Sequence, residues 1–208
     1  MRDKARGREL EPIVLLALWL IALVVSGIAP TDRLTWFMEV LPVLLALPLL
    51  MASRRRFPLT PLVTRLIFLH GLILILGGHY TYAQVPPGLW LQDLFDLSRN
   101  HYDRLGHFTQ GFVPAILARE ILLRATPLKP GVLLFFLVVS ICLGFSAFYE
   151  LIEWGSAMIM GGDADAFLGT QGDVWDSQWD MFMALIGALS AQIALAHRHD
   201  RAMARLAA

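Results

Sequence analysis

The sequence carries little charge and a single cysteine. Asp, Glu, Lys and Arg make up only 16% of its 208 residues, against about 25% in an average soluble domain. Cys142 stands alone inside an apolar run, so no disulfide framework can form within one chain. Net charge is absent as well. The 17 basic residues balance 17 acidic ones, and global charge therefore gives no reason to expect nucleic acid or an acidic partner. No tandem repeat, low-complexity tract or long polar linker divides the chain. The G-x-S-x-G elbow, the Walker loop and the dinucleotide fingerprint are all missing, which argues against a serine hydrolase and against nucleotide-driven transport. Nor does an H-E-x-x-H, E-x-x-H or H-x-x-x-H pattern name a metal.

What the sequence has is apolar residues in blocks, 57% of the chain against roughly 45–50% in ordinary domains. A membrane helix needs about 20 such residues in succession. Six segments qualify: 13–29, 36–52, 62–78, 107–123, 131–153 and 180–197. The expected fold is thus all-α, a polytopic transmembrane helix bundle of about six spans, forming a single membrane domain over 1–208. Pro42, Pro48 and Pro114 fall inside spans; neighbouring helices can re-satisfy the backbone groups they free. Arg2, Lys4, Arg6 and Arg8 precede the first span. That span is longer than the roughly 7–15 residues of a signal-peptide core and has no clear cleavage site, so it reads as a retained anchor.

Basic residues set the orientation. With the N-terminus in the cytoplasm, only Arg33, Arg99 and Arg104 of the 17 basic residues fall outside. Both termini are therefore expected to be cytoplasmic. Trp36, Trp90, Trp154, Trp175 and Trp179 lie at or beyond the outer ends of spans, where amphipathic rings favour the headgroup layer. Over 89–99, Leu91, Leu94, Phe95 and Leu97 alternate with Asp93, Asp96 and Arg99 at a spacing that suggests an interfacial helix.

The carboxylates are distributed the opposite way, with most of them on the outer face. Asp103 and His107 are four residues apart and share one helical face, which Gln110 and Pro114 continue. Glu150 and Glu153 close the fifth span. Asp173, Asp176 and Asp180 follow i, i+3, i+7 and would share a face if the sixth span begins early. Three readings compete for this cluster. The first is a divalent metal site, because carboxylate and imidazole are the ligand set for Zn²⁺, Mn²⁺ or Fe, and carboxylates alone for Mg²⁺ or Ca²⁺. Here His107, Asp173, Asp176 and Asp180 would hold the ion, and Glu150, Glu153 and Asp103 would do the acid–base chemistry. His79 and His101 would be loop donors. The second is structural, with Arg99 and Arg104 tying helix ends together through Glu150, Glu153 and Asp176. The third is a proton or ion path through a small transporter; the inner half offers it only Arg119 and Glu120, which can pair with Arg124. His70 and the glycines at 71, 77, 78 and 144 read as helix-packing residues.

The stretches HYDRLGHFTQGFVPAILAREILLR, FYELIEW and DADAFLGTQGDVWDSQWDM resemble the YjdF-like family of bacterial inner-membrane proteins, over roughly residues 10 to 200. The resemblance implies a multi-pass helical fold in the bacterial inner (plasma) membrane. It implies no substrate and no catalytic residue. The specific expectation is therefore drawn from spacing: an outward-facing site, set in the lipid bilayer, for metal-assisted hydrolysis or transfer on a lipid-linked or small polar substrate.

Overall fold

The computed structural model describes residues 2–160 and 170–207. All the regular structure among them is helical: α1 (Arg2–Ser26), α2 (Arg33–Ser53), α3 (Pro61–Tyr80), α4 (Pro86–Phe95), α5 (Tyr102–Ala125), α6 (Val132–Met160) and α7 (Asp176–Ala207), with a 3₁₀ turn at Tyr82–Gln84. The starts are written locally. The Asp32 carboxylate accepts the Thr35 amide at 2.7 Å ahead of α2. Thr60 caps α3, whose first residue is Pro61, the position where a missing N–H costs nothing. The Asn100 side chain accepts the Tyr102 amide at the start of α5.

Among the described residues the two larger of three apolar clusters join the long helices; the third is Tyr82, Val85 and Tyr102. Trp19, Leu23, Val40, Val43 and Ile75 join α1, α2 and α3. Val63, Ala115, Ile116, Leu134, Val138, Cys142, Ala188 and Ala191 join α3, α5, α6 and α7. The outside is also apolar: Phe136, Leu49, Ile193 and Ile21 are all exposed. A soluble protein rarely leaves so many large apolar side chains uncovered; a hydrocarbon solvent favours them.

Among the described residues four helices, α2, α3, α6 and α7, are long and apolar enough to cross a membrane, and α1 adds a shorter apolar stretch, Leu10–Ser26. The expected all-helical membrane bundle is met, but the described residues do not reach the expected count of six spans. The segment at 107–123 falls on α5, which is 24 residues long but too polar to qualify by hydropathy. The reason is its position in the bundle. Asp103, His107, Arg119 and Glu120 of α5 are all buried, because the other helices surround it and its polar groups face protein. α5 and α7 pack backbone to backbone, since a Cβ on Gly111 would lie 1.8 Å from the Ala184 carbonyl and one on Gly187 2.1 Å from the Phe108 carbonyl. Gly71 admits the Trp19 ring and Gly77 the Tyr82 ring, whereas a Cβ on Gly144 would meet nothing, so Gly144 is no packing glycine.

Several expected boundaries move. The helix expected over 89–99 runs Pro86–Phe95, because Asp96 takes the left-handed conformation and ends it. Trp90, Leu91, Leu94 and Phe95 on it are exposed. Residues 198–207, expected as a basic tail, continue α7. Of segment 161–179, residues 176–179 belong to α7 and 170–175 hold a turn; the turn expected at Gly161–Gly162–Asp163 lies outside the described residues.

The chain's alternation gathers its connections at two ends. At one, the Thr31 amide meets the His79 carbonyl and Gln171 pairs with both backbone groups of Asn100. At the other, Thr60 meets Glu120 and Arg124 meets the Pro58 carbonyl.

Candidate metal centre and acidic cavity

At the first end, α5 and α7 bring three of the expected residues together. Asp103, His107 and Asp180 are buried, and each offers one ligand atom within 4.8 Å of the others. The i, i+4 spacing puts Asp103 below His107 on α5, with Oδ1 3.5 Å from Nε2. From α6, Glu150 Oε1 stands 3.7 Å from the other ring nitrogen, Nδ1. Both separations exceed a hydrogen bond. His107 Nδ1, Glu150 Oε1 and Asp180 Oδ1 are buried and have no hydrogen-bond partner among the described residues. Native interiors leave few such atoms unpaired, which makes this cluster the candidate site.

A cavity of ≈ 70 Å³ adjoins this cluster and is lined by Glu39, His70, Tyr82, Asp103, His107, Tyr149 and Glu153. Among the described residues no Lys or Arg lines it. Of these, Glu39, His70, Tyr82 and Tyr149 were not anticipated as site residues. His70, expected to bond to a neighbouring helix, has Nε2 buried without a partner among the described residues. The one sequence signal was the rarity of a Glu and a His inside otherwise apolar spans two and three.

Asp173 and Asp176 are placed differently. Asp173 precedes α7, so the shared i, i+3, i+7 face does not form. Its carboxylate meets Arg104 at 2.6 Å and Arg99 at 3.4 Å, while Asp176 meets Arg99 at 2.5 Å with both side chains buried. The Trp175 amide, aided by the two arginines, holds the Asp173 carboxyl below its ordinary range. Arg104 also stacks over the Trp179 ring at 5.1 Å. The arginines thus tie the start of α7 to the start of α5, but through Asp173 and Asp176 instead of Glu150 and Glu153. The expected loop donors lie elsewhere. His79 donates from Nδ1 to the Ser26 carbonyl at 2.8 Å. His101 precedes α5, where partial burial and then Arg104 and Arg99 push its imidazole pKa down.

The opposite end holds a second polar cluster whose atoms are satisfied. Glu120 is fully buried. Its Oε1 accepts from the Thr60 amide at 2.9 Å and Arg124 at 2.7 Å. Its Oε2 accepts from the Thr60 hydroxyl at 2.6 Å and His199 Nε2 at 2.9 Å. Arg119 donates to His199 Nδ1 at 2.8 Å and pairs with Asp200 at 2.7 Å. An arginine can only donate, so Nδ1 is the acceptor and the proton sits on Nε2, facing Glu120. His199 is therefore a neutral, buried strut and not part of a tail.

The comparisons agree with this architecture. The family model described as "Predicted membrane protein (DUF2238)" matches residues 11–201. The chain is 54% identical over 202 residues to the inner membrane protein YjdF of Escherichia coli (strain K12), covering 95% of this chain and 96% of that protein. No solved structure matches. A likeness of that extent, on a helical bundle with an apolar exterior, makes this chain a member of the DUF2238 family of membrane proteins, an integral protein of the bacterial inner membrane.

Proposed function

We propose that the protein is a six-span enzyme with both termini cytoplasmic, whose outward end holds a divalent cation on Asp103, His107 and Asp180 and hydrolyses or transfers a group on a small polar or lipid-linked substrate. The observation that carries this reading is the approach of three buried ligand atoms to within 4.8 Å, beside unpartnered atoms of His107, Glu150 and Asp180. Ligand atoms around one tetrahedral Zn²⁺ at about 2.0–2.2 Å lie about 3.3–3.6 Å apart, so side-chain rotations that close the widest separation by about 1 Å would complete the site. A bound ion would lower the pKa of its water and polarise an acceptor oxygen. Glu150 and Glu153, near His107 and the cavity, are in position to take a proton. The cavity has room for a small polar group rather than a whole large substrate. The exposed Trp90, Leu94 and Phe95 of α4 favour a headgroup-level mouth, within reach of a lipid-borne group.

Metal analysis of the detergent-purified protein tests this. One equivalent of Zn, Mn or Fe is expected, lost in both His107→Ala and Asp180→Asn while the variants remain folded. Absence of metal after incubation with each ion would refute the enzyme reading. The second reading, a structural role, is favoured by the Arg99–Asp176 and Arg104–Asp173 ties; it predicts that the same variants lose only stability.

A further inference from the structure

At the end opposite the acidic cavity, a groove of ≈ 170 Å³ opens between α1, α2 and α3. Leu15, Leu16, Trp19, Leu50 and Phe68 make its walls, and Ser53 and Arg54 stand at its rim. Arg54, Arg55 and Arg56 follow one another in the turn that leaves α2, and all three are exposed. None of them forms an ion pair among the described residues, although Arg65 and Arg124 at the same end are paired.

The groove is held in shape by ties on both sides. Arg65 Nη2 meets Glu11 Oε2 at 3.1 Å, one bond of a two-point clasp between α1 and α3. Arg124 stacks over Phe57 at 3.8 Å and donates to the Pro58 carbonyl at 2.7 Å, so the turn carrying the arginines is fixed against α5. Any acyl chain could fill an apolar slot in a bilayer. Arg54 in its lining, with Arg55 and Arg56 next to it in the same exposed turn, selects the headgroup, because guanidiniums match phosphate in planar, two-point geometry and gain from net negative charge. Basic openings between membrane helices bind anionic lipid in this way.

We propose that this groove is a binding site for an anionic phospholipid, with one acyl chain between α1, α2 and α3 and the phosphate on the Arg54–Arg56 turn. The site is separate from the acidic cavity and does not depend on the catalytic reading. It holds whichever leaflet this end faces, since the match is to the lipid's charge.

Native mass spectrometry of the full chain tests it, with phosphatidylglycerol and phosphatidylcholine of identical chains offered at equal concentration. Retention of phosphatidylglycerol is expected to exceed that of phosphatidylcholine by about tenfold or more, given roughly 1 kcal/mol per basic residue near the surface. The preference should fall with salt and disappear in the R54Q/R55Q/R56Q variant. Leu16→Trp, which fills the slot while keeping the arginines, should reduce retention of both lipids. Equal retention of the two lipids by the unaltered protein would overturn the proposal without recourse to any variant. So would a preference that survives loss of the three arginines.

Discussion

Glu120 gives the sharpest test of the packing, because its four donors can be counted. Replacing it by Ala leaves the Thr60 amide, the Thr60 hydroxyl and His199 Nε2 without an acceptor in a buried site, while Arg124, a quarter exposed, can turn to water. Removing one member of a buried charged set costs about 3–5 kcal/mol. Glu120→Gln is the more informative change. Its carbonyl can replace Oε1, but its NH₂ then faces Thr60 and His199. The hydroxyl can reverse and accept. His199 cannot, because accepting at Nε2 would put its proton on Nδ1, against the Arg119 guanidinium 2.8 Å away. One donor-to-donor conflict remains, and losing a bond to a charged group costs about 1.5–3 kcal/mol. Reversible unfolding by SDS in mixed micelles should rank wild type above Gln and Gln above Ala by those amounts. A Gln variant within about 0.5 kcal/mol of wild type, the range of ordinary surface substitutions, would refute the tautomer assigned to His199 and the closed network with it.

Other consequences follow from the same contacts. Arg99→Ala strands the buried Asp176 carboxylate and should cost about 3–5 kcal/mol in the same assay, with Asp176→Asn losing less because the amide still accepts. Gly111→Val should abolish assembly of the bundle, since its Cβ meets main chain of α7 and not a flexible side chain; normal yields of folded protein would contradict the α5–α7 packing. The Asp173 tie has a defined pH dependence. Its folded pKa is depressed, so its stabilising effect is complete above the unfolded value near 3.9 and vanishes as pH falls through the lower folded value. The stability gap between wild type and Asp173→Asn should therefore be constant from pH 7 to 5 and close only in stronger acid; a gap closing near pH 6 would implicate a histidine instead.

The helices were legible because hydrocarbon leaves the chain few choices: an apolar run of the right length, flanked by charge, satisfies its own backbone. α5 was legible by length and by the Asp103–His107 spacing, even though its polarity hides it from hydropathy. Those two residues share a face because they share a helix. Asp180 joined them for a reason the sequence does not print, the glycine-mediated approach of α5 to α7. Asp173 was misplaced because the i, i+3, i+7 pattern assumed helix where the chain turns: Gln171 and Gly172 both take positive φ, and α7 begins only at Asp176. Glu39 and Tyr149 escaped notice and His70 was read as a packing residue, because convergence from α2, α3 and α6 on one cavity is a long-range fact. His199 escaped because a terminal stretch of Arg, His and Asp reads as solvated until a buried carboxylate is found facing it.

His107 is expected to bind a cation together with Asp103 and Asp180. Protein labelled with ¹⁵N-histidine and loaded with Mn²⁺ can be read by pulsed electron paramagnetic resonance. The expected result is a directly coordinated imidazole nitrogen that disappears in His107→Gln. A bound ion with no imidazole coupling, or a coupling unchanged in His107→Gln, would contradict it.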